Sequence, residues 1–221
     1  MDNREQEQRM MEERMKMERQ KNERRYHELN QFAKKGQTVM VGSSLMEQFP
    51  INELMMSNGI PGIVYNRGLG GYTTTDLLQC LDVCVFELEP SRIFINIGTN
   101  DIGLPGDDLG NLIKNYREIL NRIMEQLPKC EIIVMAFYPV ADMALPPMPG
   151  GRKPRTLEAV QEANRRVREM AESLGLTFID VNDAISDERG YMRQEFAADP
   201  IHMWPSAYQN ILMALKPWLV G

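Results

Sequence analysis

The chain has 221 residues, of which 43% are hydrophobic and 25% are charged, so it is long enough to form one domain around its own core. Its net charge of −6 argues against a nucleic-acid partner, because phosphate contacts need a basic face. No apolar run reaches the ~18 residues that a membrane helix needs, and the N-terminus has no apolar stretch of signal-peptide type. We therefore predict a cytoplasmic protein without a membrane span.

The N-terminal segment differs in composition from the rest of the chain. Residues 2–30 are dense in both signs of charge and contain neither Gly nor Pro, which predicts a helix. We divide the chain into a charged helical arm, 1–30, and a domain, 31–221. The arm could bind a partner or join copies of the chain into a homo-oligomer. Its end carries an apolar stripe that we expect to dock on the domain, formed by Tyr26, Leu29, Phe32 and Ala33.

Short apolar runs alternate with helical patterns after residue 37. Strands are predicted over 38–41, 63–66, 92–97, 131–137 and 176–181. Helices are predicted over 75–89, over 107–127, over 155–174 with Gly175 as its C-cap, and from an N-cap at Ser206 onward. This alternation indicates an α/β fold with a parallel sheet and helices on both of its faces.

The three cysteines include no CxxC pair. Cys80 and Cys84 are four residues apart, on one helical face, and could be metal ligands, but no histidine lies near them in the sequence. The other interpretation, small core residues in a reducing cytosol, is favoured. We predict no metal site and no cofactor.

Small and polar residues follow each of the first three predicted strands, at 42–44, 66–71 and 98–101. Parallel strands end at the same edge of a sheet, and ligands of open α/β sheets bind at that edge. Each cluster alone could be an ordinary turn, since turns are rich in Gly, Ser, Asn and Asp. Their common position favours a site.

A serine in the first cluster would need a base to act as a nucleophile. The chain has two histidines, and His27 lies in the charged segment. His202 stands three residues after Asp199, a spacing that lets the carboxylate fix the ring orientation. The alternative is that Asp199 and Pro200 form a turn and that His202 packs on Trp204.

An acyl-transfer site also needs donors for the oxyanion. Gly70 and Gly71 would expose backbone N–H groups, the Asn100 amide could donate, and the Ser44 N–H could be a third donor. The rival interpretation, a phosphate cradle at GLGGYTTT, fails the last glycine of the dinucleotide pattern and lacks the P-loop lysine.

Four blocks, VGSSLMEQFP, NRGLGGYTT, INIGTND and DPIH, resemble in order and spacing those of the SGNH, or GDSL-type, esterases and lipases, most closely the branch of the platelet-activating-factor acetylhydrolases. The similarity runs from Thr38 to the C-terminus. It implies a three-layer flavodoxin-like sandwich with about five parallel strands. It also implies that Ser44 is the nucleophile, that Asp199 and His202 complete the triad, and that Gly71 and Asn100 complete the oxyanion hole.

The resemblance predicts a serine esterase or acylhydrolase that cleaves small acyl esters of lipid or O-acetyl type. One position departs from the family: Ser43 stands where an aspartate is usual. A serine can still accept a backbone hydrogen bond in the turn, but it is a weaker acceptor without charge. The alternative is therefore a catalytically weakened binding module. A second alternative is an assembly protein that acts through its charged arm.

The substrate is less well specified by the sequence. Residues 138–156 form a long loop at the active edge, which could be a lid, a binding wall or a solvated surface. An apolar acyl pocket could be lined by Met143, Leu145, Met148 and Trp204, whereas a polar or anionic substrate could face Arg152, Lys153 and Arg155. The candidate substrate contacts are Ser43, Tyr72, Met143 and Trp204.

Overall fold

The computed structural model describes residues 3–106, 109–144 and 153–220, without the side chains of residues 3–8, 11, 12 and 15. Its centre is a parallel sheet of five strands, β1 (Thr38–Gly42), β2 (Val64–Gly68), β3 (Arg92–Asn96), β4 (Glu131–Met135) and β5 (Thr177–Ile179). The spatial order is β2-β1-β3-β4-β5, so the direction of winding reverses between β1 and β3. The predicted strands and the flavodoxin-like fold class are confirmed.

Helices cover both faces of the sheet, because successive strand residues are apolar and point in opposite directions. Val39 and Val41 pack into one core cluster, whereas Met40 packs into the other. The first face is covered by α1 (Asn3–Asn30), α4 (Thr74–Gln79), α5 (Leu81–Cys84), α6 (Gly110–Gln126) and α7 (Leu157–Ser173). The second is covered by α2 (Ser44–Glu47), α3 (Ile51–Ser57) and α8 (Pro205–Leu219). Within the described ranges, none of these helices is long and apolar enough to span a bilayer.

The single helix predicted over 75–89 is wrong. The backbone leaves helical geometry at Cys80 (φ −123°) and at Val85 (φ −134°), which separates α4, α5 and a 3₁₀ turn. Each piece turns an apolar side chain into the same core, namely Leu77, Leu81 and Cys84, and Leu88. Burial of these side chains outweighs the local helix propensity.

Two helix starts also differ from the prediction. Helix α8 begins at Pro205 rather than after an N-cap at Ser206, because a proline loses no hydrogen bond at the first helical position. Helix α7 begins after Thr156, whose hydroxyl accepts from the Ala159 N–H at 3.2 Å. Gly175 follows the end of α7 with φ +71°, as predicted for a terminating glycine.

Helix α1 docks on the first face through polar anchors. The buried Tyr26 hydroxyl donates to the Gly68 carbonyl at 2.7 Å, and Asn30 accepts two bonds from the Arg67 guanidinium. These anchors fix the rotation of the helix, so Leu29 is 49% exposed, and Phe32, in the turn after the helix, is 86% exposed. The predicted place of both residues in the docking stripe is wrong. The boundary at residue 30 and self-association through α1 stay predictions.

Candidate active site

The Ser44 side chain is presented at the carboxyl end of β1, as the first residue of α2. Helix α2 can approach β2 only because Gly68 lacks a side chain: an added Cβ would lie 2.2 Å from the Glu47 backbone nitrogen. Asn66 then holds the helix end, since its amide donates to the Met46 carbonyl at 2.6 Å and to the Phe49 carbonyl at 3.1 Å. The position of Ser44 therefore depends on two residues of the neighbouring strand.

Three side chains from distant parts of the chain form one hydrogen-bonded series. Ser44 Oγ lies 3.0 Å from His202 Nε2, and His202 Nδ1 lies 2.7 Å from Asp199 Oδ2. With the proton on Nδ1 donated to the carboxylate, Nε2 is free to accept from the hydroxyl. The structure thus brings together the three residues that the sequence analysis proposed as a triad.

The Asp199 carboxylate is oriented by its own turn. Its Oδ1 accepts from the backbone N–H groups of Ile201 and His202, both at 2.7 Å. Burial acts to raise the pKa of Asp199, but the two backbone N–H groups and the imidazole outweigh it, and the pKa lies below its ordinary value. The carboxylate is therefore held ionised beside the ring.

The Asn100 amide has its orientation fixed by both of its neighbours. Its Nδ2 donates to the Tyr72 carbonyl at 2.9 Å, and its Oδ1 accepts from Arg155 Nη2 at 2.8 Å. A carbonyl can only accept and a guanidinium can only donate, so the reversed amide would lose both bonds. Arg155 itself is buried, with 6% of its surface exposed.

The loop after β2 is positioned against the loop after β3. The buried Asp101 carboxylate accepts from the Thr74 N–H at 3.0 Å, at the first residue of α4. In the loop after β2, Gly71 has φ +77°, a conformation that favours glycine, and an added Cβ there would meet nothing within 4 Å. At Gly70, in contrast, an added Cβ would lie 3.9 Å from Ser44 Cβ. The glycine pair therefore lies beside the serine, with open space at Gly71.

The predicted substrate contacts occupy different environments. Ser43 is 1% exposed and its side chain makes no capping hydrogen bond to α2, which corrects the expected backbone bond and argues against direct contact with a substrate. The Tyr72 ring is buried and its hydroxyl donates to Glu23 at 2.8 Å. Burial, followed by this hydrogen bond, raises the pKa of Tyr72 well above its ordinary value, so the phenol stays a donor.

The apolar acyl pocket stays a prediction. Met143 and Trp204 are exposed, and both nitrogens of the His202 ring are bonded to Ser44 and Asp199. The other two pocket candidates, Leu145 and Met148, lie outside the described residues, as does Arg152, which was predicted to face a polar or anionic substrate. Lys153 is exposed, whereas Arg155 points to Asn100 rather than to solvent.

Cys80 and Cys84 lie in the core of the first face, with their sulfur atoms 3.7 Å apart. The hydrogen bond between the two thiols, followed by burial, raises the pKa of the Cys80 thiol. All three cysteines are free thiols. Among the described residues, no group of three His, Cys, Asp or Glu side chains has the arrangement of a metal site.

The contacts that support the site were not predicted from the sequence. The role of Asn66 has a local signal, since an asparagine directly before the predicted loop is a common turn residue. The Arg155–Asn100 contact joins residues that are 55 positions apart, and only the folded chain reveals it. The same holds for the contacts of α1 with the Tyr72 loop.

The comparisons with known proteins agree with this architecture. A structure named as a candidate platelet activating factor from Streptococcus pneumonia is 27% identical, with a TM-score of 0.85 over 99% of this chain and 100% of that one. A GDSL-like lipase from Bacteroides thetaiotaomicron VPI-5482 is 19% identical, with a TM-score of 0.73 over 90% and 97% of the two chains. The acetylxylan esterase Axe2 from Geobacillus stearothermophilus is 17% identical, with a TM-score of 0.64 over 84% and 95%.

No curated protein sequence matches the chain. The model of the GDSL-like lipase/acylhydrolase family matches residues 21–209, which is most of the chain. That range includes the serine, the glycine pair, the asparagine and the Asp199–His202 turn. The protein therefore belongs to the GDSL-like lipase/acylhydrolase family and is a carboxylic ester hydrolase.

Proposed function

We propose that the protein is a serine esterase that cleaves small acyl esters through an acyl-enzyme on Ser44. The observation that carries the proposal is the 3.0 Å distance between Ser44 Oγ and His202 Nε2, with Asp199 on the other ring nitrogen. A serine hydroxyl becomes a nucleophile when an adjacent base takes its proton. The alternative of a weakened binding module does not account for this hydrogen-bonded series.

The reaction has two steps. Ser44 Oγ attacks the ester carbonyl while its proton passes to His202 Nε2, and Asp199 stabilises the imidazolium. The tetrahedral intermediate collapses when His202 gives that proton to the leaving alkoxide, which departs as the alcohol. Water then attacks the acyl-enzyme, loses its proton to His202 and releases the carboxylic acid, and the proton returns to Ser44. The chemistry uses no cofactor.

The negative oxygen of the intermediate would be stabilised by the backbone N–H groups of Ser44 and Gly71 and by the Asn100 amide. Asn100 Nδ2 has two hydrogens, and its bond to the Tyr72 carbonyl fixes the direction of the second. Arg155 acts as a positioning residue, because it holds the amide oxygen away from the oxyanion. Its positive charge also polarises the amide toward stronger donation.

The substrate class is a small ester of lipid or O-acetyl type. The names of two related structures, a lipase and an acetylxylan esterase, support this range, and both share the fold. We further propose that the enzyme acts in the cytoplasm, where its three free thiols stay reduced.

The test is the initial rate of p-nitrophenyl acetate hydrolysis by the full-length protein. We expect wild-type hydrolysis well above the blank and only background hydrolysis with Ser44→Ala. Ser43→Ala is the matched control, because the neighbouring hydroxyl has no hydrogen bond to His202. If Ser44→Ala retains the wild-type rate, the proposed nucleophile is wrong.

A further inference from the structure

Helix α1 forms one wall of a cavity whose opposite wall is the glycine loop. The cavity has a volume of about 330 Å³, which is at the lower end of the usual range for small-molecule sites. Its lining comes from one stretch of α1 and from the loop after β2, namely Arg14, Glu18, Arg19, Asn22, Gly70, Gly71 and Tyr72. Gly71 thus belongs both to this cavity and to the proposed oxyanion hole.

The helix is held against this loop by specific contacts. The Tyr72 hydroxyl donates to Glu23, and the Arg19 guanidinium lies 5.2 Å from the centre of the Tyr72 ring. Arg19 also forms an ion pair with Asp76 of α4. The structure named as a candidate platelet activating factor aligns over 99% of the chain, so it too has a segment corresponding to α1. The wall is therefore a built part of the fold.

The position of the cavity indicates which part of an ester it would accept. Tyr72 and α1 pack on the first face of the sheet, whereas Met203, next to His202, packs on the second. The leaving alcohol must face His202 Nε2 in order to receive a proton. The acyl group, which stays on Ser44, would then extend past Gly71 toward α1.

The charges around the cavity leave one cation available. Arg19 pairs with Asp76, and Glu18 lies 3.8 Å from Lys21. Arg14 is exposed and has no ion-pair partner among the side chains that the structure describes. It lies five residues before Arg19, or about 7.5 Å along the helix axis, so it is at the end of the cavity away from Tyr72.

We propose that this cavity is the acyl-binding site and that it takes acyl groups that end in an anionic group, which Arg14 binds. The inference rests on the proposed function and adds the identity of the acyl group to it. A guanidinium binds carboxylate and phosphonate oxygens through paired N–H donors, so either anion would fit. Asn22 adds an amide within the same wall.

The test compares two esters that differ only in the terminal charge, p-nitrophenyl hydrogen adipate and p-nitrophenyl methyl adipate, with a blank subtracted for each. We expect the wild type to have the higher kcat/KM on the anionic ester, and Arg14→Gln to lower the ratio of the two values about fivefold, as for an exposed ion pair. Glu18→Gln should raise the ratio. A phosphonate-ended acyl ester shows whether the site distinguishes the two anions.

Arg24→Gln is the matched control, because Arg24 is on the same helix, pairs with Glu28 and does not line the cavity. It should leave the ratio unchanged, and raising the salt concentration from about 0.02 to 0.5 M should reduce the wild-type ratio. If the ratio is not above one, or if Arg14→Gln and Arg24→Gln change it equally, the inference is wrong while the esterase proposal stands. If neither adipate ester is hydrolysed although p-nitrophenyl acetate is, the inference alone is wrong; if none of the three esters is hydrolysed, both proposals fail.

Discussion

The substitution Asp199→Asn tests how the carboxylate controls the His202 ring. Asp199 Oδ1 accepts from the N–H groups of Ile201 and His202, so an asparagine must place its oxygen on that side to keep both bonds. Its NH₂ group then faces Nδ1 and requires that nitrogen to be unprotonated. The ring proton moves to Nε2, which can no longer accept the proton of Ser44.

In Asp199→Asn, the free-energy cost of keeping the His202 proton on Nδ1 follows from the hydrogen bonds that this tautomer would lose. Turning the asparagine amide over leaves two backbone N–H groups without their acceptor, at about 1–3 kcal/mol each. The loss of charge beside the imidazolium adds little, because the Asp199 side chain is 47% exposed and solvent screens it. A total of about 2–6 kcal/mol corresponds to a loss of roughly 30- to 3 × 10⁴-fold in kcat.

The assay is kcat for p-nitrophenyl acetate, with circular dichroism to verify folding. Asp82→Asn is the control, since Asp82 is an exposed acid in α5, outside the triad, and the substitution removes the same charge. Asp82→Asn should have the wild-type kcat. A folded Asp199→Asn variant with more than a tenth of the wild-type kcat would refute the tautomer argument.

Four other predictions concern the oxyanion donor, the arginine that positions it, the backbone contact and the acid range. Asn100→Ala should lower kcat about 100- to 1000-fold. Arg155→Met should lower kcat about tenfold with little change in KM, and Arg155→Lys should retain part of the lost kcat. If both variants change KM equally and leave kcat unchanged, Arg155 has no positioning role. Gly68→Ala places a Cβ against the α2 backbone and should cost about 1–3 kcal/mol, lowering Tm by roughly 2–12 °C in calorimetry. Gly70→Ala should change Tm less, because its close contact is with the flexible end of Glu47 and its contact with Ser44 Cβ is an ordinary 3.9 Å. Because the folded pKa of Asp199 is lowered, its contribution to stability is present above the unfolded value of about 3.9 and is lost as the pH falls below it. The free energies of unfolding of wild type and Asp199→Asn, measured in urea, should therefore approach each other as the pH falls from about 4 to 2. A difference that does not change with pH would contradict this.

The sheet and the main site residues could be predicted because their signals are local. Apolar runs predict the five strands, and because parallel strands end at one edge of a sheet, the sequence also predicts that Ser44, Gly71 and Asn100 lie close together. The breaks at Cys80 and Val85 could not be predicted, since they serve the burial of side chains in a shared core.

Contacts between segments that are distant in the sequence could not be predicted either. Leu29 and Phe32 have the spacing of a docking stripe, yet the bonds of Tyr26 and Asn30 to the domain turn Leu29 toward solvent, and Phe32 lies in the turn after the helix. The position of Arg155 in a Pro-rich loop predicts a surface cation, and only its hydrogen bond to Asn100 shows that it belongs to the site. Such placements depend on the complete tertiary packing rather than on any periodicity.

The most direct test of the central claim is covalent labelling of the full-length protein with a fluorophosphonate, followed by peptide fragmentation in a mass spectrometer. Ser43 and Ser44 are adjacent, but only the second hydroxyl lies 3.0 Å from His202 Nε2. We predict one adduct, located on Ser44, that is lost in Ser44→Ala and strongly reduced in His202→Ala. An adduct on Ser43, or ester hydrolysis by a folded protein that never labels at Ser44, would contradict the account.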